Sequence, residues 1–577
     1  MSVKPSATDL KAMTPEDFDT AVRRYVTDVV RRYVPFAAGT MAVLLLLVLV
    51  PSVPPKDSDG TQSASAESGF GTTPDEQALE GDASATTSTL PGGAAPAGRT
   101  ATTARPSGGA PQASAVASNC AGGARQVAFS KYSALCRAKF SGSNGGNTAR
   151  GVTASTITVT YRTSHSGQAG ALEAASPALA ASQEDYFRDL QTYVNFFNGA
   201  FELYGRKVEL KLFDGQGDWV AEYQGQNLAG AQADADTAKG LNAFADISSA
   251  AVGTTPPYAQ YLAENKIVTL GGVAGSQKFF EQYRPYAYTP SGSVSNFAQW
   301  SGNTVCQRMA GLPAVFAGSA DLTVKKRVLG LIYPNNPDFK VVGQDIAKRI
   351  SSCGAAPART YEYTLNLATL ATESANAMAQ MRSAGVTTVI CACDTVSPTF
   401  FSQAADGQGY VPEWVALGSA DSFGQGYSQS QWSHAISSQG TFKPEKETEA
   451  YRVFKLAAPK AEPAEAFFST AYIAALNLFN SLQNAGPNLT AATLEQGYFQ
   501  LPPSLPDGDF GPWTFGPNRW TPLAGARIGW YDPNATSGSN GEKGAWTSCA
   551  GEDGAYHPWE PASAYGPKGT QLRCFGR

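Results

Sequence analysis

The chain has 577 residues, more than one ordinary domain holds, with a net charge of −5, 16% charged residues and eight cysteines. The slight acidity gives no reason to expect nucleic acid, which needs a clustered basic surface. Eight cysteines are too few for a disulfide scaffold at this length and enough for several bridges.

Residues 1–33 are charged and helix-prone. Thr14 suits a helix cap, Pro15 its first turn, and Glu16 and Asp17 the positive helix end. Phe18, Val22, Val26, Val29 and Tyr33 recur at helical spacing, so this segment reads as a cytoplasmic amphipathic leader. A partner-binding helix is the other reading of the same pattern. Residues 34–55 carry no charge, and Pro35 and Pro51 bracket an apolar run, 41–50. A spanning helix needs about 20 mostly apolar residues, which this run barely reaches. The rival is a cleaved signal peptide. That would carry a shorter core nearer the start, before a small-residue cleavage site, so an uncleaved anchor is expected. Arg23, Arg24, Arg31 and Arg32 precede the span, and Lys56 is the only basic residue after it until Arg99. The basic side stays inside, which places the N-terminus in the cytoplasm and the rest beyond the membrane. Residues 56–118 are rich in Ala, Gly, Ser, Thr and Pro. Such a stretch cannot bury enough surface to offset its ordering entropy and reads as a disordered tether.

Residues 119–152 form a lead-in, in which Cys120 and Cys136 can close a small loop. From residue 153 short apolar strands alternate with helical stretches. Strands are expected at 157–161, 208–213, 243–247, 267–270, 328–333 and 387–391. Helices are expected at 186–201, 222–239, 258–264, 341–351 and 378–384. Such alternation argues for parallel sheets with helical crossovers, and this much of it needs two α/β lobes.

Five segments, in order, resemble type I periplasmic solute-binding proteins of the branched-chain amino-acid receptor group. They are ITVTYRTSHSG at 157–167, NFFN at 195–198 with YGRKVEL at 204–210, KRVLGLIYPNNPDF at 326–339 with Gly343, MRSAGVTTVI at 381–390, and 401–412. The resemblance covers residues 155–530. It implies an α/β fold of two doubly wound lobes around a hinged cleft, here preceded by one transmembrane helix. The two-lobed domain is expected over 153–530: lobe 1 over 153–291 and 425–510, lobe 2 over 292–424 and the end. A stapled extension follows at 531–577.

In open α/β sheets ligands bind beyond the carboxyl ends of the strands. The first candidate loop, 162–167, offers Ser164 and Ser166, whose plainer role is turn chemistry, and Arg162, which favours an anion if it faces the cleft. The second follows the strand ending at Ile247. The resemblance implies that Gly253, Thr254 and Thr255 hold a ligand carboxylate at a helix start, where an ordinary cap is the alternative. The third, 271–276, supplies Gly272 and Ser276, without the Lys and Ser/Thr spacing of a phosphate loop. Across the cleft Tyr333, Phe339, Asp394 and Asp421 follow strands. The resemblance implies an acidic residue there for a ligand ammonium. Asp421 matches best, and a cap or turn residue is its other reading.

Three histidines, His165, His434 and His557, have no metal-ligand spacing, and no nucleophile elbow occurs. No enzyme activity, metal or cofactor is expected. Cys391 and Cys393 share a strand face and read as buried small residues rather than a metal pair. We pair Cys306 with Cys353 and Cys549 with Cys574 as structural bridges, although spacing does not determine connectivity. The expected function is capture of a small polar metabolite, amino-acid-like or a carboxylate or amide, for an ABC permease, from a single-pass anchor in the cell membrane. The alternative is a sensing or envelope binding module not coupled to transport.

Overall fold

The computed structural model describes residues 120–576, except 169, 171–182, 249–252, 272–273, 291, 465–467, 505–507 and 520. The leader, the anchor and the tether expected over 1–118 lie outside the described residues. Among the described residues no helix is long and apolar enough to cross a membrane.

Among the described residues twelve strands fall in two sheets. In chain order the first four are β1 (Thr156–His165), β2 (Lys207–Asp218), β3 (Ala245–Asp246) and β4 (Val268–Thr269). They form a parallel sheet in the order β2-β1-β3-β4. β1 is buried along most of its length, as a strand covered on both faces must be. β2 stands at the edge with Leu212 exposed. The helix Gln183–Ala200 buries Tyr186, Leu190, Tyr193, Val194 and Phe197 at helical spacing. It meets the almost fully buried helix Phe468–Ala485 through Phe197 and Phe479, whose ring centroids lie 5.4 Å apart.

The second sheet contains β5 (Leu329–Pro334), β6 (Arg359–Tyr363), β7 (Thr388–Cys391), β8 (Glu413–Ala416), β9 (Ala435–Gln439), β10 (Gly525–Thr536), β11 (Lys543–Ser548) and β12 (Tyr556–Pro558). Its order is β11-β10-β9-β8-β7-β5-β6, with β12 also on β10. β5 to β9 are mutually parallel, and β10 joins antiparallel to β9. Each sheet has its own apolar core, around Tyr193, Phe197 and Phe479 in one and around Ile332, Val389 and Trp414 in the other.

The structure corrects several expectations. Residues 222–239 are two helices, Trp219–Tyr223 and Leu228–Gly240, because Gly225 and Asn227 take positive φ angles of 73° and 48° between them. The helix Pro337–Ser352 starts before residue 341, since Asn336 caps it and Pro337 takes its first turn. β9 belongs to the second sheet, so the chain returns to the first lobe after residue 439 and not at 425. Residues 531–577 are not an added extension. β10 runs through the expected boundary at 530 and buries Ala526, Ile528 and Tyr531 in the second lobe.

The lead-in packs on the first lobe, with Tyr132 against Phe510 and Trp513 and its backbone bonded to Asn480. Disulfides join Cys120 to Cys136, Cys306 to Cys353 and Cys549 to Cys574. Cys391 and Cys393 are buried but not free, being bonded to each other at a Cα separation of 5.0 Å.

Candidate functional site

A cleft of about 1480 Å³ opens between the two sheets and is lined from both. The first lobe supplies Asp185 and Arg188 from its long helix and Trp219, Tyr223 and Gln224 from the turn after β2. The second supplies Asn335, Asn336 and Phe339 after β5, and three strand-end segments that each place one carboxylate in the lining. Asp394 follows β7, Asp421 follows β8 and Glu445 follows β9, and these strands are neighbours in the sheet. Parallel strands bring successive loops to one edge, so residues far apart in sequence converge there.

Two of the carboxylates are held from behind. Asp394 accepts hydrogen bonds from Tyr363 Oη at 2.6 Å, Ser397 Oγ at 2.5 Å and the Val396 and Ser397 N–H groups at 2.8 and 2.9 Å. Asp421 accepts from Ser537 Oγ at 2.8 Å and the Trp546 backbone N–H at 2.9 Å, and burial raises its pKa. Burial raises the pKa of Glu445 to about 7, and the charge of Asp421 adds to the rise. The lobes touch directly. Asn336 Nδ2 donates to the Tyr223 carbonyl at 3.3 Å, Gln224 Nε2 to the Leu365 carbonyl, and the Ser276 N–H to Asp338 Oδ1 at 2.9 Å.

Of the residues singled out in sequence, Phe339, Asp394 and Asp421 come together in this cleft. Arg162 does not. Its side chain is wholly buried, with Nη1 3.1 Å from Glu222 Oε1 and 3.0 Å from Asp234 Oδ2, and Nε donating to the Gly253 carbonyl at 3.0 Å. Gly253 is thereby committed to Arg162, and the guanidinium lies 3.9 Å from the Tyr258 ring centroid. Thr255 caps the helix Pro256–Glu264 and donates its hydroxyl to Glu222, and Thr254 Oγ1 donates to the Ser248 carbonyl at 3.2 Å. The constellation expected to hold a ligand carboxylate is filled by the chain's own Glu222.

β1 extends to His165, so 162–165 is strand and not loop. Gln183 brackets the backbone of Ser164, and Ser166 Oγ accepts the Gln168 N–H at 3.0 Å, as in a turn. Ser276 caps the helix Gln277–Gln282. Tyr333 packs over Gly343 inside the second lobe, away from the cleft wall. Gly272 lies outside the described residues. Sequence reading missed Trp219, Tyr223, Asn335, Asn336, Glu445 and Trp546. The pair Asn335-Asn336 stood directly after a strand, a signal of the same kind as Asp394. Glu445 had none, because no strand was expected at 435–439 and residues 425–510 were placed in the first lobe.

Among the described residues no group of three or more His, Cys, Asp or Glu side chains is placed to hold a metal ion. The model of the family described as periplasmic binding protein matches residues 168–532. A substrate-binding protein of an ABC transporter from Aeropyrum pernix superposes with a TM-score of 0.51 at 12% identity, over 71% of this chain and 98% of that one. A periplasmic binding protein from Burkholderia mallei does so with a TM-score of 0.51 at 13% identity, over 73% and 99%. A fatty acid ABC transporter substrate-binding protein from Thermomonospora curvata gives 0.50 at 14%, over 73% and 97%. At these identities the likeness is one of fold. A comparison with the curated proteins finds no match. The two-lobed α/β architecture, the cleft at the strand ends and the family model over most of the described residues agree, and the chain belongs to the periplasmic binding protein family.

Proposed function

We propose that this protein is a membrane-anchored extracytoplasmic receptor that captures a small polar metabolite in the cleft and presents it to an ABC permease. It performs no catalysis. The observation that carries the reading is the cleft itself, walled by two separate sheets that can close by a hinge motion. Closure shields ligand hydrogen bonds from water, where they are worth more. The uncharged run at 34–55 and its basic leader support the anchor, and the tether at 56–118 keeps the receptor concentrated near its partner.

Thermal unfolding of the full chain against amino acids, amides, amines, carboxylates and sugars tests binding. At least one compound is expected to raise Tm by several degrees through mass action. No stabilisation by any of them sinks the reading. A sensor without a transporter is the second reading, favoured by the cytoplasmic leader. Deleting residues 1–30 separates the two, since uptake survives in a transport receptor and signalling fails in a sensor.

A further inference from the structure

The cleft is unbalanced in charge. Among the described residues its wall carries four carboxylates, Asp185, Asp394, Asp421 and Glu445, against two basic side chains, Arg188 and Lys443. Both basic groups are already engaged, Arg188 by Asp185 and Asp189 and Lys443 by Asp509 at 2.7 Å. Asp394, Asp421 and Glu445 meet no basic side chain among the described residues. An anionic ligand would therefore enter a field of its own sign with no free cation to receive it. The helix start that could have served it, at Thr255, is closed by Glu222.

A second observation concerns the same wall. Trp546, whose backbone N–H holds Asp421, lines the cleft. Its Nε1 is a buried donor with no acceptor among the described residues. Such a donor is normally satisfied, and with almost no accessible surface in the open cleft it reaches a ligand atom only when the wall shifts. From the facing lobe Trp219 and Tyr223 present rings, and ring faces attract cations.

We infer that the cleft selects an organic cation, an amine or quaternary ammonium solute held by Asp394, Asp421 and Glu445 of the second lobe and covered by Trp219 and Tyr223 of the first. This rests on the receptor reading.

The test is titration of the full chain with spermidine and benzyltrimethylammonium, against glutarate, phenylacetate and maltotriose. At least one cation is expected to bind tenfold or more tightly than any anion or the sugar. Glu445→Gln and Asp421→Asn, which keep the side-chain shape and an acceptor oxygen, each weaken that binding about tenfold (about 1.4 kcal/mol) without lowering the unliganded Tm by more than a degree or two. Tighter binding of glutarate, phenylacetate or maltotriose than of either cation overturns the assignment and leaves the receptor reading standing. So does cation binding that both variants leave unchanged. Binding of none of the five overturns the assignment, and it reaches the receptor reading only if the wider set of compounds also fails to raise Tm.

Discussion

Glu222 meets Arg162 through two hydrogen bonds of 3.1 Å, Nη1 to Oε1 and Nη2 to Oε2, with both side chains excluded from solvent. This pair decides how the first lobe is read. An arginine at a strand end suggested an anion site, and the structure shows the anion to be the chain's own. A buried pair of this kind strongly destabilises the fold when one partner is lost, because the other charge is left unmatched.

Arg162→Met is therefore expected to lower stability by about 3–5 kcal/mol, measured by urea unfolding, since Glu222 and Asp234 lose their shared cation. Its folded fraction keeps the ligand affinity of the parent chain. Loss of affinity with unchanged stability would return Arg162 to the ligand site.

Glu449 is the buried acid that ties the lead-in to the first lobe. It accepts from Ser130 Oγ and Tyr472 Oη, both at 2.7 Å, and from the Lys131 N–H at 3.1 Å. Burial raises its pKa from 4.5 to about 7, and Asp509 adds to the rise, while the charge of Arg125 lies nearby. The folded state thus holds the proton more tightly than the unfolded state. The stability this gives is complete below pH 4.5 and is lost as pH rises through about 7. Between pH 5 and 8 the loss is about 2–3 kcal/mol. Urea midpoints for Glu449→Gln should show that much less change over the same range, and an identical pH profile would refute the assignment.

Tyr333 and Gly343 show what a sequence candidate does instead of binding. A Cβ at Gly343 would lie 2.3 Å from Tyr333 Cδ1, so the helix Pro337–Ser352 seats on β5 through the absence of a side chain. Gly343→Ala is expected to cost about 1–3 kcal/mol by overpacking. Circular dichroism melts read this directly, and an unchanged Tm would mean that Tyr333 is free to move.

The bridges differ in the loops they close. Cys306–Cys353 spans 47 residues and Cys391–Cys393 spans 2. Chain entropy alone gives about 4 kcal/mol for the first and about 1–2 kcal/mol for the second. Double serine variants compared by urea unfolding should preserve that order. The reverse order would show that Cys391–Cys393 matters through the Asp394 loop next to it.

The parallel strands and their helices were legible because apolar strands buried on both faces alternate with amphipathic stretches, as β1 and 183–200 do. Asp394 and Asp421 were legible as acids following strands. Arg162 was not, because its partner lies 60 residues away and a strand-end arginine looks the same whether it faces ligand or Glu222. Glu445 was hidden for a topological reason. Nothing local in 435–439 says which sheet β9 joins, and its place beside β8 is fixed by long-range pairing. The end of the domain up to 530 was placed in the second lobe, but the Gly-, Pro- and Trp-rich surroundings concealed that β10 runs on past it.

The most direct measurement is a crystal structure of the chain with the compound that raises its Tm most. Ligand density is expected between Asp394, Asp421 and Glu445 on one side and Trp219 and Tyr223 on the other. Density confined to any other surface, or a ligand carboxylate seated at Thr255 with Arg162 turned toward it, would contradict it.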